Sequence, residues 1–141
     1  MDSHGSFDVF EQECPSREIM QRLGDKWTPL VLLALAGGAQ RFSALRQGIG
    51  AVTPKVLTNT LRNLERDGLV QRTVYAQVPV RVDYELTDLG RSLSGPLAVL
   101  EAWAVEHIGV IELARAAYDA PAGDGGVGSA GDVRSGSRPS R

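Results

Sequence analysis

Apolar residues recur along this chain at two periods, and the change from one to the other falls at Gly68. Between Thr53 and Asp67, Leu57, Leu61 and Leu64 stand at i, i+4 and i+7, one stripe at helical spacing. Lys55, Asn59, Arg62 and Arg66 share a second face at i, i+4, i+7 and i+11. Thr53-Pro54 starts this helix, because the threonine hydroxyl can accept orphan N–H groups and proline is tolerated at the first helical position; Asp67-Gly68 stops it. After Gly68 come Leu69-Val70, Thr73-Val74-Tyr75 and Val80 to Leu86, with the two-residue alternation of half-buried strands. Ala76 to Pro79 leaves room only for a hairpin turn, which puts Arg81 close to its tip. A helix with one packing face and one basic face, followed by a two-stranded wing, predicts a winged helix-turn-helix.

The rest of the chain supports that pattern. Pro15 to Leu23 reads as a short helix with Ile19, Met20 and Leu23 on one side, ended by Gly24. Asp25 is placed to cap a nearly all-apolar helix from Lys26 to Ala36, the expected buried spine, and Gly37-Gly38 terminates it. Arg41-Phe42 adds a minimal strand. Ser43 is then expected to cap a helix through about Gln47, with Phe42, Leu45 and Ile49 turned inward. Ser43 to Ile49 and Thr53 to Asp67 form the helix-turn-helix pair.

Beyond the wing, Thr87 caps a long helix carrying Leu89, Leu93, Leu97, Leu100, Trp103 and Ala104. Pro96 is expected to kink or interrupt it by about a turn, and a separate short helix, His107 to Tyr118, carries Ile108, Ile111 and Leu113. These stripes exceed what a small monomer can cover, so they predict pairing with a second copy in a two-fold dimer, helped by the Cys14 to Leu23 helix. The expected fold class is α+β, mainly α: a winged helix-turn-helix with extra N- and C-terminal dimerisation helices. The expected organisation is a flexible arm over 1–13, one domain over 14–118, and a disordered Gly, Ser and Arg-rich tail over 119–141.

Composition narrows the function. The chain has 141 residues, 43% of them apolar, which suits one domain with a real core, and a formal net charge of -2. From Arg41 to Val82, however, there are seven basic residues against two acidic ones, Glu65 and Asp67. A local basic run on a mildly acidic chain points to phosphate contact at one face. No apolar run approaches the roughly 18 to 20 residues of a membrane span, and Met1 to Phe10 lacks the pattern of a secretory signal. With a single cysteine, Cys14, no internal disulfide forms, and the expected setting is a reducing cytoplasm without membrane partners. No cofactor is expected.

Six ordered motifs carry a resemblance: Cys14-Pro15; Leu23-Gly24-Asp25-Lys26-Trp27; Arg41-Phe42-Ser43-Ala44-Leu45-Arg46; Thr53-Pro54-Lys55-Val56-Leu57-Thr58; Leu61 to Val70; and Val80 to Gly90. Together they resemble the HxlR-type winged helix-turn-helix regulators, relatives of the MarR type, over Cys14 to about Trp103. The resemblance implies a homodimeric transcription factor, expected to be a repressor, on a pseudo-palindromic double-stranded DNA site. In several members of the family, thiol oxidation or electrophiles act at a cysteine in the position that Cys14 holds here.

Individual residues sort accordingly. Lys55, Thr58, Asn59 and Arg62 are placed toward the major groove, where Arg can pair with guanine and Asn with adenine; Thr53 and Arg66 flank them. Arg81 fits a wing arginine entering the minor groove or gripping phosphate, the competing reading being an ion pair with Asp83 or Glu85. Ser43, Arg46, Arg41 and Arg72 are second-rank phosphate contacts. Cys14 precedes a helix start, where backbone N–H groups favour a thiolate and Arg17 or Arg22 could lower its pKa; it reads equally as a small buried hydrophobe. Trp27, Trp103, Phe42, Tyr75 and Tyr84 could line a small-molecule effector pocket, though aromatics at these spacings usually pack as core. His4 and His107 have no ligand-spaced companion, which argues against a metal. An enzyme is disfavoured because no nucleophile and base pair, phosphate-cradling loop or metal set is visible. A winged-helix module for protein association is the other competing class.

Overall fold

The computed structural model describes residues 8–122; the expected flexible arm and tail, and His4, lie wholly or mostly outside them. In chain order the elements are α1 (Pro15–Leu23), α2 (Thr28–Leu35), β1 (Gln40–Arg41), α3 (Phe42–Ile49), α4 (Pro54–Arg66), β2 (Val70–Tyr75), β3 (Arg81–Leu86) and α5 (Asp88–Asp119). The sheet is antiparallel in the order β1-β3-β2, with Gln40 opposite Tyr84 and Tyr75 opposite Arg81. This is the expected mainly helical winged fold.

The core is the set of residues whose spacing marked it. Leu57, Leu61 and Leu64 of α4 are almost completely buried, as are Val31, Leu32 and Leu35 of α2 and Leu45 of α3. Val70 and Leu86 close the cluster from the sheet. Helix α4 begins as its sequence dictates: the Thr53 hydroxyl accepts the Val56 N–H at 3.2 Å. It ends at Asp67, and Gly68 takes the positive φ of 78° that a side chain would resist.

Three local expectations change. Helix α2 starts at Thr28, two residues late, because the Asp25 carboxylate accepts the Trp27 N–H and the Thr28 hydroxyl, both at 3.3 Å, and so holds the chain in a turn before the helix. Ser43 does not cap α3. The helix begins two residues earlier, with Arg41 in the capping position and no side-chain cap, so Ser43 lies within its first turn. Pro96 does not interrupt the last helix either, and His107 to Tyr118 is not a separate element: α5 is one helix of 32 residues. A proline removes one N–H, and the exposed flank of a long helix tolerates that because water can reach the carbonyl left over. Pro96 itself is exposed.

One junction sets the position of the wing. The Thr87 hydroxyl donates to the Gly68 carbonyl at 2.6 Å and accepts the Gly90 N–H at 3.1 Å, while the Thr87 N–H reaches the Leu69 carbonyl at 3.1 Å. The first turn of α5 comes so close to β2 that a Cβ built on Gly90 would lie 2.1 Å from the Leu69 carbonyl oxygen. We predict that Gly90→Ala destabilises the fold by at least about 2 kcal/mol through this overlap. Urea unfolding of the two proteins measures it, and a loss below half a kilocalorie would show that the backbone yields freely there.

Candidate nucleic-acid interface

Helix α4 presents its polar face outward. Lys55, Asn59, Arg62 and Arg66 are all exposed and lie opposite the buried leucine stripe. Among the described residues, none of Lys55, Arg62, Arg66, Arg41 and Arg46 takes part in an ion pair. A charged face left unpaired this way is electrostatically available to a polyanion.

Two recesses extend that face. Toward the start of α4, Ser43, Arg46, Gln47, Gly50 and Thr53 line an open hollow of about 800 Å³. The Arg46 Nε donates to the Val52 carbonyl at 3.1 Å, which anchors the side chain by one nitrogen and leaves the rest of the guanidinium free to point outward. On the wing side, Thr58, Arg62, Glu65, Arg72 and Tyr84 line a smaller recess of about 180 Å³. Burial pushes the Tyr84 hydroxyl up from its usual range. Eight of the nine predicted contact residues, Ser43, Arg46, Thr53, Lys55, Thr58, Asn59, Arg62 and Arg66, thus fall on this helix face or in the recesses beside it.

Arg81 is arranged differently. Its Nε and Nη2 donate to the two carboxylate oxygens of Asp83 at 3.1 and 2.9 Å, and its guanidinium carbon lies 4.9 Å from the centre of the Tyr75 ring. The pair runs along one strand, two residues apart. Hydrogen bonding to Arg81 holds the buried Asp83 carboxyl below its usual range, against the effect of burial and with help from the Arg41 charge. Arg72 also faces an acid, Glu65, at 3.7 Å.

Sequence reading missed the tie at the other end of α4. Arg22 of α1 donates through Nε to Asp67 at 2.6 Å, with both side chains mostly buried. The capping position of Asp67 was visible in the sequence; its partner, 45 residues away, was not. Arg22 is therefore not the group that activates Cys14. Burial disfavours the Cys14 thiolate, but the Ser16 hydroxyl and the N–H groups of Ser16, Arg17 and Asp8 together outweigh it and bring the thiol below its ordinary range. Cys14 is buried, at 8% exposure.

The aromatic residues do not gather into one pocket. Trp27, Phe42 and Tyr84 each pack against the core and border different recesses. Tyr75 carries Arg81, and Trp103 stacks on His107 within α5 at 4.6 Å.

With this geometry in place, a family model described as HxlR-like helix-turn-helix matches residues 22–112. The chain belongs to the HxlR-like family. It is 43% identical over 95 residues to the HTH-type transcriptional regulator YtfH of Escherichia coli (strain K12), a match covering 67% of this chain and 75% of that protein. The solved structure of the transcriptional regulator YtfH from Salmonella typhimurium superposes with a TM-score of 0.73 at 38% identity, covering 77% of this chain and 97% of that one. The redox regulator HypR in its oxidized form is also similar, with a TM-score of 0.62 at 35% identity over 66% of this chain and 96% of HypR. This HxlR-like protein is accordingly a transcriptional regulator with a helix-turn-helix DNA-binding fold. No helix among the described residues is long and apolar enough to cross a membrane.

The thiol geometry gives a testable pH dependence. A lowered pKa means the thiolate is populated at lower pH than in an unfolded chain, whose cysteine titrates near about 8.5. Iodoacetamide labelling of Cys14, followed by mass spectrometry across a pH series, is therefore expected to rise with a midpoint below that of the urea-unfolded protein. A midpoint at or above it would mean that burial dominates.

Proposed function

We propose that the protein is a sequence-specific repressor that binds a pseudo-palindromic DNA site as a homodimer, with α4 as the helix that reads the major groove. The observation that carries this reading is the unpaired basic face of α4, held between the Thr53 cap and the Arg22–Asp67 pair, in a chain of the HxlR-like family. Lys55 and Arg66 supply phosphate contacts, Asn59 and Arg62 reach base edges, and Ser43, Arg46 and Thr53 grip the backbone beside the start of the helix. A repressor of this kind acts by occupying the promoter.

Support for the dimer comes from apolar surface that one chain leaves open. In the first part of the chain, Ile19, Leu23, Leu69, Leu89 and Leu93 line an apolar recess of about 220 Å³. Within the stretch of α5 from Ala102 onward, Trp103, Val105, Ile108, Val110 and Leu113 are all substantially exposed. Apolar side chains left open to water along a helix in this number are readily covered by a second copy.

Redox or electrophile gating at Cys14 is the regulatory reading we favour over a small-molecule effector. It is supported by the lowered thiol pKa and by the similarity to HypR, a redox regulator. The chain has no second cysteine, so oxidation would join two subunits, capture a small thiol or leave an adduct.

The deciding experiment is binding of the purified protein to the DNA upstream of its own gene, across a salt series, with and without diamide, in wild type and Cys14→Ser. Specific, salt-sensitive binding that wild type loses on oxidation and the variant keeps is the expected result. Binding indifferent to oxidant would make Cys14 structural, and no binding at any salt would shift the reading to protein association. On the same duplexes, Arg62→Ala is expected to cost about 1 to 3 kcal/mol on the specific site and much less on random DNA. Equal losses on both would reassign Arg62 to phosphate.

A further inference from the structure

The tip of the wing is apolar and fully offered to solvent. Val78 is 99% exposed and Val80 66%, with Val74 and Tyr75 exposed behind them. From Tyr75 to Val80 no residue carries a charge. Both arginines of the hairpin face an acid: Arg81 is hydrogen-bonded to Asp83 through two nitrogens, and Arg72 lies 3.7 Å from Glu65. Counting Asp83 and Glu85, the strands carry as many acids as bases. Electrically the wing is closed, while the helix beside it is open.

Strand parity says which side of the wing matters. Tyr84 and Arg72 are register partners, and both line the recess that contains Arg62, so the face bearing residues 72, 74, 82 and 84 turns toward the recognition helix. Arg81 and Tyr75, also register partners, lie on the opposite face. A residue there, held through two hydrogen bonds and a ring, is a poor phosphate ligand for DNA seated against α4 and a good brace for the turn.

We propose that the wing meets DNA through the apolar tip, Val78, Pro79 and Val80, against the walls of the minor groove, and that Arg81 is a positioning residue that fixes Tyr75 and the hairpin end. This rests on the DNA-binding reading above. The occupant is DNA because the tip continues the face that carries Arg62 and the unpaired cations of α4; a helix in the major groove brings the adjoining hairpin to the neighbouring minor groove, where apolar side chains are well accommodated. The wing then adds affinity that salt does not remove, because no counterion is released when an uncharged tip docks. It senses groove width and deformability in place of charge.

The test uses a labelled duplex that the wild-type chain selects from a random-sequence pool, with binding measured by anisotropy across a potassium chloride series. Lys55→Gln, the control, is expected to flatten the plot of log affinity against log salt by about one unit. The double variant Val78→Ser, Val80→Ser is expected to bind about ten-fold more weakly at every salt concentration with an unchanged slope. Arg81→Met is expected to leave the slope unchanged. In wild type, adenine N3 beside each half-site is expected to be protected from dimethyl sulfate, and the tip variant is expected to lose that protection.

A slope flattened by about one unit in Arg81→Met would place Arg81 on phosphate and overturn the proposal. So would wild-type affinity in the tip variant, which would leave the tip for a protein partner, or absence of N3 protection in wild type. Should Arg81→Met unfold the hairpin, Asp83→Asn serves instead: it frees a guanidinium on the face turned away from α4, so an unchanged slope is expected, and a steeper one, which would put Arg81 on phosphate, counts against the proposal. If wild type selects no duplex at all, the DNA-binding reading fails first and the tip proposal with it, whereas failure of the tip variants alone leaves that reading standing.

Discussion

The carbonyl oxygen of Leu69 lies where the end of the recognition helix, the first strand of the wing and the first turn of α5 converge, and α5 approaches it closely enough that any side chain at Gly90 would overlap the backbone. Around it, Thr87 satisfies the Gly68 and Leu69 carbonyls and caps α5 with the same hydroxyl. Buried or crowded backbone groups must find partners, and here one threonine and one missing Cβ provide for three elements together. The angle between α4 and the hairpin follows from this contact, and with it the relation of the wing to the recognition face.

Electrostatics then divides the surface. The two acids at the end of α4 are each drawn toward a partner: Asp67 pairs with Arg22 of α1, and Glu65 faces Arg72. What remains on the outward face of α4 is uncompensated positive charge, on a chain whose total is negative. A net charge summed over the whole molecule conceals this arrangement, since binding to a polyanion depends on the local field.

Much of this was legible in the sequence because burial writes itself as periodicity. The stripe of Leu57, Leu61 and Leu64, the Thr53 cap, the Asp67-Gly68 stop and the alternation in Val80 to Leu86 all state local facts, and the wing and helix stand where those facts put them. Reading failed where the outcome depended on a partner elsewhere or on solvent. Asp25 has the residue type of a cap, but its carboxylate serves the turn before α2; Pro96 has that of a breaker, yet an exposed helix flank absorbs it. Arg22, one of two arginines near Cys14 in sequence, is held in space by Asp67. Arg81 sits at the strand parity opposite Arg72 and Tyr84, a property contained in the alternation itself, and so faces away from α4.

Helix α4 is 13 residues long, near the length at which an isolated helix in water is marginal. It holds its shape because Thr53 fixes one end, Arg22 the other, and the leucine stripe the middle. The outward face of α4 therefore keeps its shape only as long as these buried and capping contacts hold. A genetic screen for alleles that no longer regulate would return substitutions at Arg22 and Gly90 as readily as on the outward face of α4, and only a stability measurement on each allele would separate a lost contact from a lost fold.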